Sequence, residues 1–170
     1  MSSTPIETPP PADHASRDDV GRLVAIDWNS GATAAAPASG RWLAAIDGSD
    51  CSLRAVAMAV RLAHGVPGAV IDLAYVHPWR VKEAAEAELP QRGWDISTAS
   101  RAYLSQAGIG WRLHVRMGDA ATELVALAAS LGSRGIVIGS HGLTAMQSLM
   151  LGSVAYKVVH LSAVPVMIVR

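Results

Sequence analysis

One stretch near the carboxyl end of the chain constrains its fold more than any other. It covers residues 135–154 and reads GIVIGSHGLTAMQSLMLGSV. The apolar, β-branched run at 136–138 is typical of a buried parallel strand. The later Gly152-Ser153 pair is typical of a helix start. The stretch therefore predicts a strand, a loop and a helix in direct succession.

The glycines of this stretch follow the spacing Gly-x2-Gly-x9-Gly-Ser, from Gly139 through Gly142 to Gly152. Glycine after a strand lets bare backbone approach a ligand, because no Cβ stands in the way. The amino end of a helix offers unpaired N–H groups and a partial positive charge, both of which suit phosphate oxygens. The spacing therefore predicts a loop that binds a nucleotide polyphosphate.

The bulk composition indicates a single globular domain. Apolar residues make up 51% of the 170 residues and charged residues only 16%, which excludes wholesale disorder. The formal charge is zero, so no general field would attract nucleic acid or an anionic membrane. No apolar run reaches the roughly 18 residues of a membrane span, and the amino end lacks a hydrophobic signal region. We therefore expect a cytoplasmic protein that binds neither nucleic acid nor membrane.

The first 40 residues differ in composition from the rest. Residues 1–21 are rich in proline, serine and charged residues, which predicts a disordered tail. Residues 29–40, NSGATAAAPASG, are typical of a linker. Residues 22–28, RLVAIDW, have strand composition and leave two alternatives open, a loosely held segment or an extra edge strand. We expect the folded domain to cover residues 41–170.

Strand patterns and helix patterns alternate along that domain. This alternation predicts a parallel α/β sheet with right-handed crossovers. The third strand alternates apolar and polar residues, which favours a place near an edge of the sheet. Pro90 and Gly93 are expected to interrupt the second helix. The predicted strands are 42–47, 69–76, 111–117, 136–138 and 164–169, and the predicted helices are 50–64, 79–107, 120–130 and 153–161.

Residues 41–170 resemble the universal stress protein family over the whole of its single-domain length. The spacing of the glycine loop is that of the family's ATP-binding branch. Four elements carry the resemblance in chain order: Asp47-Gly48-Ser49, Gly118-Asp119, the pair Gly139-Ser140-His141-Gly142 and Gly152-Ser153-Val154, and Val164-Pro165-Val166.

The resemblance implies a fold and a ligand. The fold is an open, Rossmann-like five-stranded parallel sheet in the order 3-2-1-4-5, with helices on both faces, as in adenine nucleotide alpha hydrolases. Such sheets bind ligands at the carboxyl ends of the strands where the order reverses. The implied ligand is ATP, accompanied by Mg²⁺, and the implied role is that of a nucleotide-dependent sensor or regulator in a stress response.

The resemblance also assigns roles to single residues. Asp47 and Val76 would contact the adenine, and Gly118 would lie beside the ribose. Backbone at the glycines and around Ser153 would bind ribose and phosphates. The complete predicted site is Asp47, Gly48, Ser49, Val76, Gly118, Gly139, Ser140, His141, Gly142, Gly152, Ser153 and Val154.

No catalytic residue and no metal-ligating residue is predicted. The sequence contains neither the GxxxxGK[ST] pattern of P-loop enzymes nor Gly-x-Gly-x-x-Gly after the first strand. His141 lies inside the loop, but no carboxylate near it in sequence would orient it as a base. The leading hypothesis is thus a binding protein, and a slow ATP hydrolase that uses His141 is kept as an alternative.

The segment between Gly142 and Gly152 carries no charged residue, whereas members of this branch often have lysine or arginine there. This departure supports a second alternative, a dimeric interaction module that works without nucleotide and has a protein partner still to be identified. The apolar last strand lies at the sheet edge in the family order, where unpaired backbone groups remain. We therefore expect a homodimer through the C-terminal strand.

Overall fold

The computed structural model describes residues 7–31, 41–142 and 151–170. These residues form seven strands and four helices. The strands are β1 (His14–Arg17), β2 (Leu23–Asn29), β3 (Trp42–Ala45), β4 (Val70–His77), β5 (Gly110–Met117), β6 (Ile136–Gly139) and β7 (Val166–Val169). The helices are α1 (Asp50–Ala63), α2 (Lys82–Gln106), α3 (Ala120–Leu131) and α4 (Ser153–Leu161).

The strands form one mixed sheet in the order β1-β2-β5-β4-β3-β6-β7. The last five strands of that order are parallel, which is the arrangement that the family resemblance implied. The prediction of a five-stranded sheet is wrong in one respect, because β2 and β1 extend it antiparallel beyond β5. The result is a seven-stranded α/β sheet.

Helices cover both faces of the sheet. On one face α1 and α2 bury the larger core, through side chains such as Val56, Leu89 and Leu104. On the other face α3 and α4 bury a smaller core, through Leu124 and Val158. Among the described residues, no helix has both the length and the apolar character needed to cross a membrane.

The prediction that residues 1–21 are disordered is wrong for β1, which pairs with β2. Of the two alternatives for residues 22–28, the structure shows the extra strand, β2 (Leu23–Asn29), but it lies between β1 and β5 rather than at the edge. The reason is an aromatic cluster under α2, in which the rings of Trp28 and Trp94 lie 5.6 Å apart and those of Trp94 and Trp111 6.4 Å apart. Trp28 is buried there, so β2 contributes to the main core. Residues 1–6 of the predicted tail and 32–40 of the predicted linker lie outside the described residues.

Strand β5 does not lie near an edge, although its polar residues favoured that prediction. Its His114 is buried and bridges two carboxylates, with Nδ1 2.8 Å from Asp27 of β2 and Nε2 3.0 Å from Asp72 of β4. Arg116 also donates a hydrogen bond to Asp27 at 2.7 Å, and Arg41 approaches Asp72 at 3.8 Å. The polar alternation of β5 therefore comes from a buried charge network that joins three strands.

Helix α2 is continuous, so the prediction that Pro90 and Gly93 interrupt it is wrong. Pro90 removes one backbone donor, but Leu89 and Trp94 on either side are buried in the core and hold the helix on the sheet. A Cβ on Gly93 would lie 2.4 Å from Cγ2 of Val115 in β5. Gly93 therefore permits a close helix-to-sheet contact and does not end the helix.

We expect the charge network to make stability depend on pH. Burial lowers the pKa of His114, but hydrogen bonds to Asp27 and Asp72 outweigh it, so the net pKa is raised. The imidazolium thus stabilises the fold fully below about pH 6.5, and this contribution is lost as pH rises through the folded-state pKa. His114→Gln should cost about 3 kcal/mol at pH 6, because it removes a buried charge partner. The difference in free energy of unfolding between the variant and the wild type, measured by urea unfolding, should become smaller as pH rises.

The control is His64→Gln, since His64 is exposed at the end of α1. It should change neither the stability nor its pH dependence. A His114→Gln gap that stayed constant or widened with rising pH would contradict a charged His114.

The close contact at Gly93 makes a second prediction. Alanine is normally better than glycine inside a helix by about 1 kcal/mol. Gly93→Ala should nevertheless destabilise the fold by about 1–3 kcal/mol, because the new Cβ overlaps Val115. Val115→Ala should relieve that overlap, so the double variant should lose less than the sum of the single losses in a double-mutant cycle. Additive losses would show that the overlap is not the cause.

Candidate functional site

A cavity of about 340 Å³ opens at the carboxyl ends of the parallel strands. It lies where β3 has β4 on one side and β6 on the other, so that the strand order reverses there. The chain leaves β3 into α1 on one face of the sheet, and it reaches α4 after β6 on the opposite face. This divergence leaves a crevice of the size and place typical of small-ligand sites in α/β proteins.

Asp47 stands at the mouth of this crevice and also organises the turn after β3. Its Oδ1 accepts hydrogen bonds from the backbone N–H of Ser49 at 2.9 Å and from the Ser49 hydroxyl at 2.6 Å. Ser49 in turn caps α1 by accepting a bond from the N–H of Ser52. The carboxylate is therefore held at a fixed place, where its Oδ2 lies 2.6 Å from the position of a Cβ on Gly142.

Gly139 at the end of β6 and Gly142 just after it are required by close packing at two different places. A Cβ on Gly139 would lie 3.0 Å from the backbone of Cys51 in α1, so Gly139 lets the first turn of that helix contact the sheet. A Cβ on Gly142 would meet Asp47 instead. Gly142 is therefore constrained by Asp47 of the cavity, whereas Gly139 is constrained by its contact with α1.

Ser140 and His141 connect the end of β6 to the neighbouring elements. Ser140 is buried, and its N–H donates to the Val169 carbonyl of β7 at 2.7 Å. Its hydroxyl shares a hydrogen bond of 2.9 Å with Nδ1 of His141. Its carbonyl accepts the Gly152 N–H at 2.8 Å, which brings the start of α4 against the end of β6.

The amino end of α4 lines the cavity, and its capping differs from that of α1 and α3. Helices α1 and α3 are capped by the side chains of Ser49 and Asp119. In contrast, the N-cap of α4 is Gly152, and none of the described side chains caps it. The first N–H groups of a helix have no partner within the helix, and those of Ser153 and Val154 belong to residues that line the cavity. The Gly152 amide itself is occupied by Ser140.

The opposite wall of the cavity is apolar. Val76, to which the resemblance assigns an adenine contact, lies there together with residues that the sequence analysis did not single out. These residues come from the end of β3, from β4 and β6, and from the neighbouring helices α1, α3 and α4. The added lining residues are Ala45, Ile46, Ser52, Ala74, Tyr75, Ala120, Leu124, Ile138 and Ala155.

Three predicted residues lie outside this cavity. Gly48 and Ser49 line a neighbouring cleft of about 520 Å³ between α1 and α2. Gly118 donates its N–H to the His77 carbonyl at 2.9 Å, and a Cβ on it would lie 2.9 Å from Cγ of Glu123. Gly118 therefore shapes the entry to α3. The other nine predicted residues line the cavity: Asp47, Val76, Gly139, Ser140, His141, Gly142, Gly152, Ser153 and Val154.

The neighbouring cleft also contains Arg92 of α2, which sequence reasoning did not single out. Burial raises the pKa of Tyr75, and a hydrogen bond from Arg92 opposes that rise. Arg92 thus reaches toward a residue that lines the main cavity. Its distance of 45 positions from Asp47 along the chain explains why no local motif revealed it.

An ion pair joins α3 and α4 next to residues that line the cavity. Lys157 of α4 donates a hydrogen bond to Oδ1 of Asp119, the N-cap of α3, at 2.9 Å. The same carboxylate oxygen accepts from the N–H of Thr122 at 3.0 Å and from its hydroxyl at 2.6 Å. These contacts, led by the Thr122 hydroxyl, hold the pKa of Asp119 well below its usual range, so the carboxylate is charged at neutral pH. Residues 143–150 of the predicted uncharged loop lie outside the described residues.

Comparison with known proteins agrees with this architecture. The model of the universal stress protein family matches residues 40–170. Universal stress protein YxiE of Bacillus subtilis is 32% identical over 146 residues, which covers 76% of this chain and 98% of YxiE.

Two solved structures show the same fold. One is a universal stress protein in complex with cAMP, which is 26% identical with a TM-score of 0.58 and matches 78% of this chain and 97% of its own. The other is the universal stress protein from Archaeoglobus fulgidus in complex with dAMP, at 19% identity and a TM-score of 0.61, with 76% and 96% covered. On the family match and the identity to YxiE, the chain belongs to the universal stress protein family.

Proposed function

We propose that this protein binds ATP in the cavity between β3 and β6 and acts in the cytoplasm as a nucleotide-dependent regulator in a stress response. One observation carries the proposal. The amino end of α4, which none of the described side chains caps, lines the same cavity as Asp47 and Gly142, so helix N–H groups and a carboxylate adjoin one crevice. Helix amino ends favour phosphate through their free N–H groups and partial positive charge.

The remaining walls suit the other parts of a nucleotide. The apolar wall around Val76 and Leu124 can cover an adenine ring, and Asp47 can accept a hydrogen bond from base or ribose. A universal stress protein that is 26% identical to this chain has been solved with cAMP, which shares the adenosine and one phosphate with ATP. In our proposal Mg²⁺ accompanies the triphosphate and offsets part of its charge.

The proposal describes a binding protein rather than a fast enzyme. One alternative is slow ATP hydrolysis that uses His141. The hydrogen bond between the Ser140 hydroxyl and Nδ1 of His141 would orient the imidazole for such a role. His141→Ala with unaltered ATP turnover would remove that alternative. The other alternative is an interaction module that works without nucleotide. It predicts no thermal shift with ATP, whereas binding at a hundredfold excess over Kd stabilises the fold by about 2.7 kcal/mol.

Two glycine variants test the proposed site. In Gly142→Val the new side chain would press on Asp47, with its Cβ 2.6 Å from Oδ2. In Gly152→Val the Cβ would lie 3.1 Å from the Ser140 carbonyl, at the start of α4. Each change should weaken ATP binding by about 100-fold, or about 2.8 kcal/mol, measured by isothermal titration calorimetry. The fold should survive, because Gly142 is exposed and Gly152 is half-buried outside the main cores.

The matched control is Ala87→Val, which adds the same side chain at an exposed position of α2. It should leave ATP affinity unchanged. Unchanged ATP affinity in both glycine variants, with normal folding by circular dichroism, would refute the proposed site.

We further propose a homodimer through the C-terminal strand. Strand β7 ends the sheet on that side, so one row of its backbone groups is unpaired by the described strands. Ile168 of β7 is 39% exposed, and Tyr156, Val159 and Leu161 of α4 are exposed as well. A two-fold axis beside β7 would let two copies cover these apolar groups.

The substitution Ile168→Asp tests the dimer. A carboxylate placed opposite its own symmetry copy would be desolvated and repelled, so the variant should be a monomer by light scattering. Ala87→Asp on the far helix should leave the wild-type state unchanged. A dimeric Ile168→Asp variant would place the interface elsewhere.

A further inference from the structure

We propose that Lys157 is the residue that distinguishes polyphosphate from monophosphate ligands, by exchanging its partner Asp119 for the terminal phosphates of a bound nucleotide. The inference rests on the proposed nucleotide site, and it assigns that site a specificity that depends on one side chain.

The first step is the position of Lys157. It lies one helical turn after Ser153 and Val154, which line the cavity. Long side chains on a helix point back toward its amino end and cover the preceding turn. The ammonium group of Lys157 therefore lies toward the first turn of α4, whose N–H groups have no partner within the helix. Its contact with Asp119 places it between the amino ends of α3 and α4.

The second step is the charge that a polyphosphate would require there. Lys157 is the only lysine or arginine in either α3 or α4. Asp47 at the mouth brings negative charge to the same cavity. Backbone N–H groups can balance one phosphate, but each further phosphate adds charge that a mobile cation would stabilise strongly. Lys157 is the basic side chain best placed on these helices to supply it.

The third step is that Lys157 can leave its partner without harm to the fold. The side chains of Lys157 and Asp119 are 50% and 54% exposed, and ion pairs of that kind contribute little to stability. Asp119 keeps its two hydrogen bonds from Thr122, so it still caps α3 when Lys157 moves. The Asp119 carboxylate thus binds the ammonium group when no nucleotide is bound, and the fold does not depend on this contact.

The binding test compares ATP, ADP and AMP on the full chain by calorimetry, with Mg²⁺ present. Lys157→Met should weaken ATP by about tenfold, which corresponds to about 1.4 kcal/mol, and leave AMP unchanged. Lys82→Met is the matched control, since Lys82 is the other lysine of the chain and lies at the start of α2. It should change neither affinity. Asp119→Asn should keep ATP binding at the wild-type level or above, because it frees Lys157.

A chemical test uses the fact that the chain has two lysines. Acylation by an N-hydroxysuccinimide ester should modify both, and mass spectrometry separates the two sites. ATP should protect Lys157 and leave Lys82 reactive, whereas AMP should protect neither. Equal protection by ATP and AMP, or none by either, would overturn the role of Lys157.

The outcomes separate this inference from the proposed function. If ATP binds and Lys157→Met reduces ATP and AMP equally, or reduces neither, the inference is wrong while the nucleotide site stands. If no adenine nucleotide binds to the wild type, the proposed function fails and this inference fails with it.

Discussion

The short parallel ladder between β3 and β6 is the interaction on which the rest of the structure depends. Leu43 pairs with Ile136 and Ala44 with Val137, and all four residues are fully buried. The helices that follow β3 and β4 lie on one face of the sheet, and the helices that follow β5 and β6 lie on the other. Because the chain diverges on either side of the ladder, backbone at its carboxyl end is left facing a crevice rather than another strand.

The chemistry of that crevice comes largely from backbone. Gly139 allows α1 to contact the end of β6, and Gly142 leaves room for the carboxylate of Asp47. The Gly152 amide is tied to Ser140, which aims the next amides of α4 toward the cavity. A site built in this way needs few distinctive side chains, which is why we propose that the nearby ion pair of Lys157 and Asp119 determines its specificity.

The amino-terminal strands show how buried charge can extend a sheet. Asp72 is completely buried, and one of its oxygens has no hydrogen-bond partner among the described residues. His114 links that carboxylate to Asp27 of β2, and Trp28 on the opposite face packs under α2. Polar pairing on one face and aromatic packing on the other together hold a strand that lies outside the matched family region.

By itself, the sequence determined the alternation of strands and helices, the order of the five parallel strands through the family resemblance, and the glycine loop near the site. These features depend on local periodicity and spacing, which are visible in a linear pattern. Only the tertiary structure decided the course of residues 7–31, the continuity of α2 across Pro90, and the positions of Arg92 and Lys157 near the cavity. The polar residues of β5 and the composition of residues 22–28 could not be interpreted separately. His114 and Asp27 are hydrogen-bonded partners, but 87 positions separate them in the sequence. Such partners are selected by burial and charge in three dimensions, and no local pattern encodes the choice.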